Sequence, residues 1–275
     1  MPHLWLIRLT VFWSLVSQPS LSDLLAVATE AAYLGGRRTL AYFNTGIAVE
    51  TKSDDTPVTM ADREAEQVIR AHIAKAFPSH SILGEEAGST EGDPDYRWII
   101  DPIDGTKSFI HGVPLYGVLI GVEVQRRPRV GVIYMPALDE MVSAAEGLGC
   151  TWNGRPARVS QTRRLEDACI SVTSPETARA RSDAYENLAG RAKLKRAWGD
   201  AYGYVLVATG RCDVMLDPKL NPWDCAPMIP ILREAGGRFS DWRGQEHIWG
   251  NDGVATNGAI YEPVLQILRN EKRRE

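Results

Sequence analysis

The sequence predicts an α+β protein made of two closely joined parts, on three observations. Apolar residues recur at helical spacing in two early segments, 22–43 and 61–77. Short β-rich runs follow at 81–83, 97–100, 116–124, 129–135 and 140–145. Beyond a turn-rich stretch at 147–156, extended and helical segments alternate toward the end of the chain. A length of 275 residues suffices for one large domain or two fused ones.

Taken in order, the first helix carries Leu24, Leu25, Ala28, Ala31 and Ala32 on its buried stripe. The polar segment 50–57 reads as a loop or hairpin. The second helix presents Ala65, Val68, Ile69, Ile73 and Ala76 on one face. Thr59 is placed to cap it, with Asp62 completing a variant capping box, and Pro78 ends it. The segments 81–83 and 97–100 are strands that run into acidic residues, the second expected to stop at a turn holding Asp101 and Asp104. A hairpin is expected from 116–124 to 129–135, turning through 125–128, with a further strand at 140–145. The stretch 147–156 is the expected boundary. It divides the chain into an extension over 1–21, an α+β metal-binding part over 22–149, a specificity part over 150–268 and a charged tail over 269–275. In the second part, 169–173 and 214–216 read as extended, and 175–189, 201–209, 224–235 and 261–270 as helices. Gly236 and Gly237 close the third of these helices.

The 44% hydrophobic and 24% charged content is ordinary for a soluble globular protein. A net charge of −4 gives no electrostatic basis for a nucleic-acid partner. Four cysteines (Cys150, Cys169, Cys212, Cys225) form no CxxC pair and read as reduced thiols of a cytoplasmic protein. The apolar segment 4–16 is interrupted by Arg8, precedes no Ala-x-Ala cleavage site and is short for a membrane span, so no stable membrane partner is expected.

Chemistry concentrates in the run WIIDPIDGT, from Trp98 to Thr106. Two carboxylates three apart, braced by proline and glycine, suit a hard divalent cation, and the Ile103 carbonyl offers another oxygen. Gly105 allows close backbone approach, and the amides after it are placed to open a helix toward a phosphate. Singly, each acid has an ordinary explanation. Asp101 and Asp104 suit a turn, Asp224 a helix N-terminus and Asp62 a first helical turn. Together with Glu85 and Glu86 they compose a divided acidic site suited to metal-assisted phosphate chemistry. No histidine is expected to be the general base: His72 reads as helix surface and His80 as a turn residue, with His111 a weak substrate-contact candidate.

These motifs, GEE at 84–86, the run from Trp98 to Thr106, PWD at 222–224 and EAGG at 234–237, resemble the magnesium-dependent inositol monophosphatase superfamily. The resemblance spans residues 22–268 and implies a five-layered α/β/α/β/α sandwich with the active site between its two halves. It implies two to three Mg2+ ions. Glu85, Asp101 and the Ile103 carbonyl would hold the first, and Asp101, Asp104 and Asp224 the second. Glu85 would reach a third through water. Asp62 and Thr106 would polarise the attacking water, Gly105 and Thr106 amides would hold phosphate oxygens, and Lys52 matches a charged residue of a mobile loop. A homodimer is expected because relatives usually form one.

The segments 196–204, 213–224 and 225–237 look most like the histidinol-phosphatase branch, which hydrolyses L-histidinol phosphate in histidine biosynthesis. Asp200 and Asp217 suit its cationic amine through charge-assisted hydrogen bonds, with Ala201 and Asp224 completing the substrate set. One or two of Trp198, Tyr202, Tyr204 and Trp223 are expected to flank an imidazole. Two other readings stand beside it: an inositol-1-phosphate or broad sugar-phosphate phosphatase, and a catalytically weak metal-binding regulatory protein.

Overall fold

The computed structural model describes residues 18–53 and 56–270. The apolar segment 4–16 and residues 271–275 of the expected tail lie outside the described residues. The first half runs α1 (Leu21–Leu40), β1 (Val49–Thr51), β2 (Pro57–Thr59), α2 (Met60–Ala76), β3 (His80–Gly84), β4 (Gly88–Thr90), β5 (Asp93–Asp104), α3 (Thr106–Ile110), β6 (Gly117–Val124), β7 (Arg127–Met135), β8 (Glu140–Ala145), β9 (Gly149–Trp152) and β10 (Arg155–Pro156). The second half continues β11 (Cys169–Val172), α4 (Pro175–Arg181), α5 (Ala184–Arg191), β12 (Leu194–Arg196), α6 (Asp200–Ala208), β13 (Val214–Asp217), α7 (Pro222–Cys225), α8 (Met228–Ala235), β14 (Arg238–Ser240), β15 (Gly253–Thr256) and α9 (Tyr261–Asn270).

Two mixed sheets organise the chain. One is eight-stranded, ordered β10-β9-β8-β7-β6-β5-β3-β4, and the other five-stranded, ordered β12-β11-β13-β15-β14. Strands β9 and β10, inside the stretch 147–156 read as the boundary, pair with the first sheet.

Strand alternation sorts the first sheet's side chains into two layers. Trp98, Ile100, Val118, Ile120 and Val132 face Leu24, Ala28, Ile69 and Ile73 of α1 and α2. Ile99, Leu119 and Ile133 face the opposite way, toward Tyr204 and Val205 of α6, Ile231 and Leu232 of α8, and Met215 and Ala255 of the second sheet. On that sheet's other face, Ile170, Val214 and Leu216 pack on Leu188 of α5 and Val264 and Leu268 of α9. The resulting order is helix, sheet, helix, sheet, helix, the five-layered sandwich that was expected.

Gly121 and Gly131, partners across β6 and β7, let the turn between α7 and α8 lie close against the sheet. A Cβ on Gly121 would run into Ala226, and one on Gly131 into Pro227. This close approach brings the α7 end of the second half down onto the first.

Several local expectations change. The strand at 97–100 extends through Asp104 rather than stopping in a turn, because a register shift between Asp101 and Asp104 absorbs the irregularity while pairing to β6 continues. The hairpin turn holds only Gln125 and Arg126, with φ of 50° and 61°, left-handed values that match the twist of the flanking strands. The helix expected at 175–189 breaks at Ser182, whose backbone is extended. The helix expected at 224–235 is two pieces, interrupted before Met228. His80 opens β3 instead of lying in a turn. It is buried, stacked on Phe77 and Tyr96, and accepts a hydrogen bond from Trp98 Nε1 at 3.0 Å. No helix among the described residues is long and apolar enough to cross a membrane.

Candidate active site

The site grows from the ends of two parallel strands. β3 and β5 run side by side, with Gly84 paired to Ile100, so Glu85 and Asp101 emerge next to each other. The Glu85 N–H donates to the Ile100 carbonyl at 3.2 Å, fixing that proximity. In a regular strand, residues three apart point to opposite faces. From Asp101 to Asp104 the chain advances three residues, while β6 advances two, from Leu119 to Gly117. This bulge re-aims Asp104 to the side of Asp101. The Ile103 N–H donates to Asp101 Oδ1 at 2.9 Å and stiffens the bend.

Gly105 follows with φ of 86° and forms the N-cap of α3. A side chain there would be strained, and would also press on the Leu115 carbonyl and the Asp200 carboxylate. Thr106, first in α3, donates its hydroxyl hydrogen to the Ile103 carbonyl at 3.1 Å.

Asp224 comes from the other half. It sits at the third position of α7, where its carboxylate accepts from the Asn221 N–H at 2.7 Å. Asp101, Asp104 and Asp224 each offer an oxygen within 4.8 Å of the others. Burial raises the pKa of Asp101, with the charges of Glu85, Asp104 and Asp224 adding to it. Burial also raises that of Asp104, with Asp200, Asp224 and Asp217 adding. Asp224 is pushed up to about 7 by burial, against the stabilising Asn221 N–H. Three acids that repel one another, Asp101 buried and Asp104 and Asp224 half-buried, all offer hard oxygen donors and fit a divalent cation such as Mg2+.

Lys52, from the β1–β2 hairpin, reaches Glu85 at 2.7 Å and Glu86 at 2.6 Å. Burial works against its ammonium, but these two carboxylates outweigh it and its pKa rises. Burial lifts Glu86 to about 7 despite Lys52. Asp62 closes the capping box of α2. Its Oδ2 accepts from the Thr59 N–H at 2.8 Å and the Thr59 hydroxyl at 2.7 Å. Burial raises the Asp62 pKa, and the Glu85 charge adds to the rise.

One cavity of about 750 Å³ gathers Lys52, Glu85, Asp101, Ile103, Asp104, Gly105, Thr106, Asp200, Asp217 and Asp224 along its wall. Asp62 and Ala201 lie outside the lining. Ala201 is fully buried, and its N–H donates to the Asp104 carboxylate. Asp217, also buried, accepts from the Tyr204 hydroxyl at 2.8 Å. Asp200 has its pKa raised to about 6 by burial, with Lys107 pulling it down. Of the four aromatic candidates, Trp223 lines the cavity. Tyr204 is core, whereas Trp198 lies under Arg196 and Tyr202 under Arg211. His111 caps the end of α3 and is exposed.

Sequence reasoning missed Glu66. It is buried on α2 and its carboxylate accepts from the Glu86 N–H at 2.8 Å and the Ala87 N–H at 3.0 Å, with Arg70 at 2.7 Å as counter-ion. It therefore holds the turn that presents Glu85. The available signal was its place on the buried face of an amphipathic helix, one turn after Asp62, where a charge needs a partner. Thr173, Lys107 and Lys219 also line the cavity and carried no local motif.

Residues 20–273 match the inositol monophosphatase family. A histidinol-phosphatase of Chlorobaculum parvum is 43% identical over 253 residues, covering 90% of this chain and 98% of that protein. An inositol-1-monophosphatase of Mesorhizobium japonicum is 35% identical over 257 residues, covering 90% and 97%. The crystal structure of the extragenic suppressor protein suhB from Bartonella henselae superposes with a TM-score of 0.84 at 33% identity, covering 90% of this chain and 98% of that one.

Proposed function

The chain belongs to the inositol monophosphatase family of Mg2+-dependent phosphomonoesterases, and from that premise we propose that it is a histidinol-phosphatase. The reading is that it converts L-histidinol phosphate and water to L-histidinol and phosphate. The observation that carries it is the pair Asp200 and Asp217, two carboxylates on one cavity wall beside the metal-binding acids. A protonated amine on the leaving alcohol suits such a wall, since carboxylate-to-ammonium hydrogen bonds are the strong kind. The likeness to the Chlorobaculum histidinol-phosphatase supports the same choice.

In this reading Asp101, Asp104 and Asp224 hold the metal, joined by Glu85 and the Ile103 carbonyl. That carbonyl has two lone pairs, so it serves both the Thr106 hydroxyl and a cation. When bound, Mg2+ polarises the phosphoryl oxygens, acidifies water and stabilises the leaving oxygen. Asp62 and Thr106 orient the attacking water. The raised pKa of Asp62 makes it a better proton acceptor than an exposed aspartate. The Gly105 and Thr106 amides hold phosphate oxygens. Water oxygen bonds to phosphorus as the ester P–O bond breaks, and the departing alkoxide takes up a proton. The reading does not require a phosphorylated side chain. Lys52 steadies the Glu85 and Glu86 carboxylates from the hairpin.

A second reading, an inositol-1-phosphate phosphatase with the same machinery, is supported by the Mesorhizobium relative. Phosphate release from L-histidinol phosphate and inositol 1-phosphate, at matched concentrations with and without Mg2+, separates the two. A clear preference for histidinol phosphate is the expected result. Preference for the inositol ester keeps the metal site and overturns the reading of the Asp200 wall. Metal binding with no turnover of either ester would instead point to a regulatory protein.

A further inference from the structure

We propose that Thr173 is the positioning residue for the leaving-group side of the cavity, its one hydroxyl setting both Asp200 and Asp217. The inference deepens the reading above and rests on it for the identity of the ester.

Thr173 lies just beyond the end of β11 and lines the cavity. β11 pairs in parallel with β13, whose last residue is Asp217, so the two positions are neighbours across the sheet. The Thr173 oxygen accepts from the Asp200 N–H at 2.9 Å. Burial raises the Asp217 pKa well above the usual carboxylate value, and a hydrogen bond from the Thr173 hydroxyl works against that rise, as a donor to a carboxylate does. The hydroxyl hydrogen is thereby directed to Asp217, leaving a lone pair for the Asp200 amide. Valine has the same shape and can do neither.

Asp200 depends on this contact because of its backbone. It has φ of 50°, a left-handed conformation that costs a non-glycine residue energy unless its surroundings hold it. Its amide is also one of the first N–H groups of α6, which have no partner within the helix. Gly199, the N-cap, supplies no side-chain cap. Thr173, from a different element, fills that role. On the other side, Asp217 is anchored by Tyr204, so the chain Asp200, Thr173, Asp217, Tyr204 ties the backbone that carries Asp200 to the Asp217 carboxyl. None of these bonds goes to Asp101, Asp104 or Asp224.

Thr173→Val should therefore weaken recognition of the alcohol part without weakening recognition of phosphate. With wild-type protein and Thr173→Val at saturating Mg2+, KM for L-histidinol phosphate should rise roughly 10-fold with kcat little changed. The inhibition constant of inorganic phosphate, which reads the metal side alone, should stay at its wild-type value. Thr173→Ser, which keeps the hydroxyl, should restore KM. An unchanged KM in Thr173→Val, a parallel rise in the phosphate inhibition constant, or a Thr173→Ser variant as impaired as Thr173→Val would each overturn the proposal. Should Thr173→Val not fold, Thr173→Ala carries the same comparison. If the wild-type protein prefers inositol 1-phosphate, the substrate reading falls, and the same constants measured on that ester still decide the role of Thr173.

Discussion

At the scale of single residues, the site is a collection of acids held where acids are costly. Asp101 touches two of the proposed metal positions, so Asp101→Asn should reduce turnover on the order of 100-fold or more. Isothermal titration with Mg2+ should show weakened binding, and near-normal activity with normal metal affinity would remove Asp101 from the ligand set. The same repulsion sets a pH dependence for metal-free protein. Asp224 has a folded pKa of about 7 against an ordinary 3.8, so the folded state binds more protons between those values. The stability it contributes is full below the unfolded value and is lost as pH rises through about 7. In EDTA, the melting temperature should accordingly fall between pH 5 and pH 8. Mg2+ should raise it more at pH 8, where the ligands are ionised. A stabilisation by Mg2+ that is equal at both values would count against a carboxylate site. These residues were largely legible in the sequence, because DPIDGT and PWD put acids beside turn formers in unusual density. Glu66 and Thr173 were not. Each works through a contact with a segment distant in sequence, and neither type at its position is rare enough to stand out.

At the scale of elements, the bulge in β5 and the close approach of the α7–α8 turn do most of the assembly. The expected turn at Asp101 to Asp104 is a strand irregularity, since pairing to β6 resumes at Asp104 and Gly117. Sequence periodicity cannot distinguish a strand that ends from one that slips by a residue, because both break the alternation at the same place. The capping box of Thr59 and Asp62 was readable, being local and chemically specific. The breaks at Ser182 and before Met228 were missed, although the Ser182–Asp183 pair and Pro227 are local signals for them. Gly121→Val tests the element-level account. Its side chain would collide with Ala226 and displace the segment that carries Asp224. A loss of about 1–3 kcal/mol in urea unfolding should accompany a weakened Mg2+ affinity. Loss of stability with intact metal affinity would separate that packing contact from the site.

At the scale of the molecule, the acids proposed to hold the metal come from both halves, Asp101 and Asp104 from the first and Asp224 from the second. Binding a cation there should stabilise the sandwich as a unit. At 100 times its dissociation constant Mg2+ should add about 2.7 kcal/mol and move a single thermal transition upward. Asp224→Asn should lose most of that shift. Two separate transitions, only one of them sensitive to Mg2+, would show that the halves unfold independently. By itself the sequence determined the family, the sandwich class, the order of the principal helices and strands, and the types of residue that meet at the site. Those features follow from periodicity, turn chemistry and motifs, all carried by short stretches of chain. Only the tertiary structure decided that Asp104 turns to the side of Asp101, that Glu66 braces the Glu85 turn, and that Thr173 joins Asp200 to Asp217. Each of these depends on strand register or on contact between distant segments, which local composition does not specify.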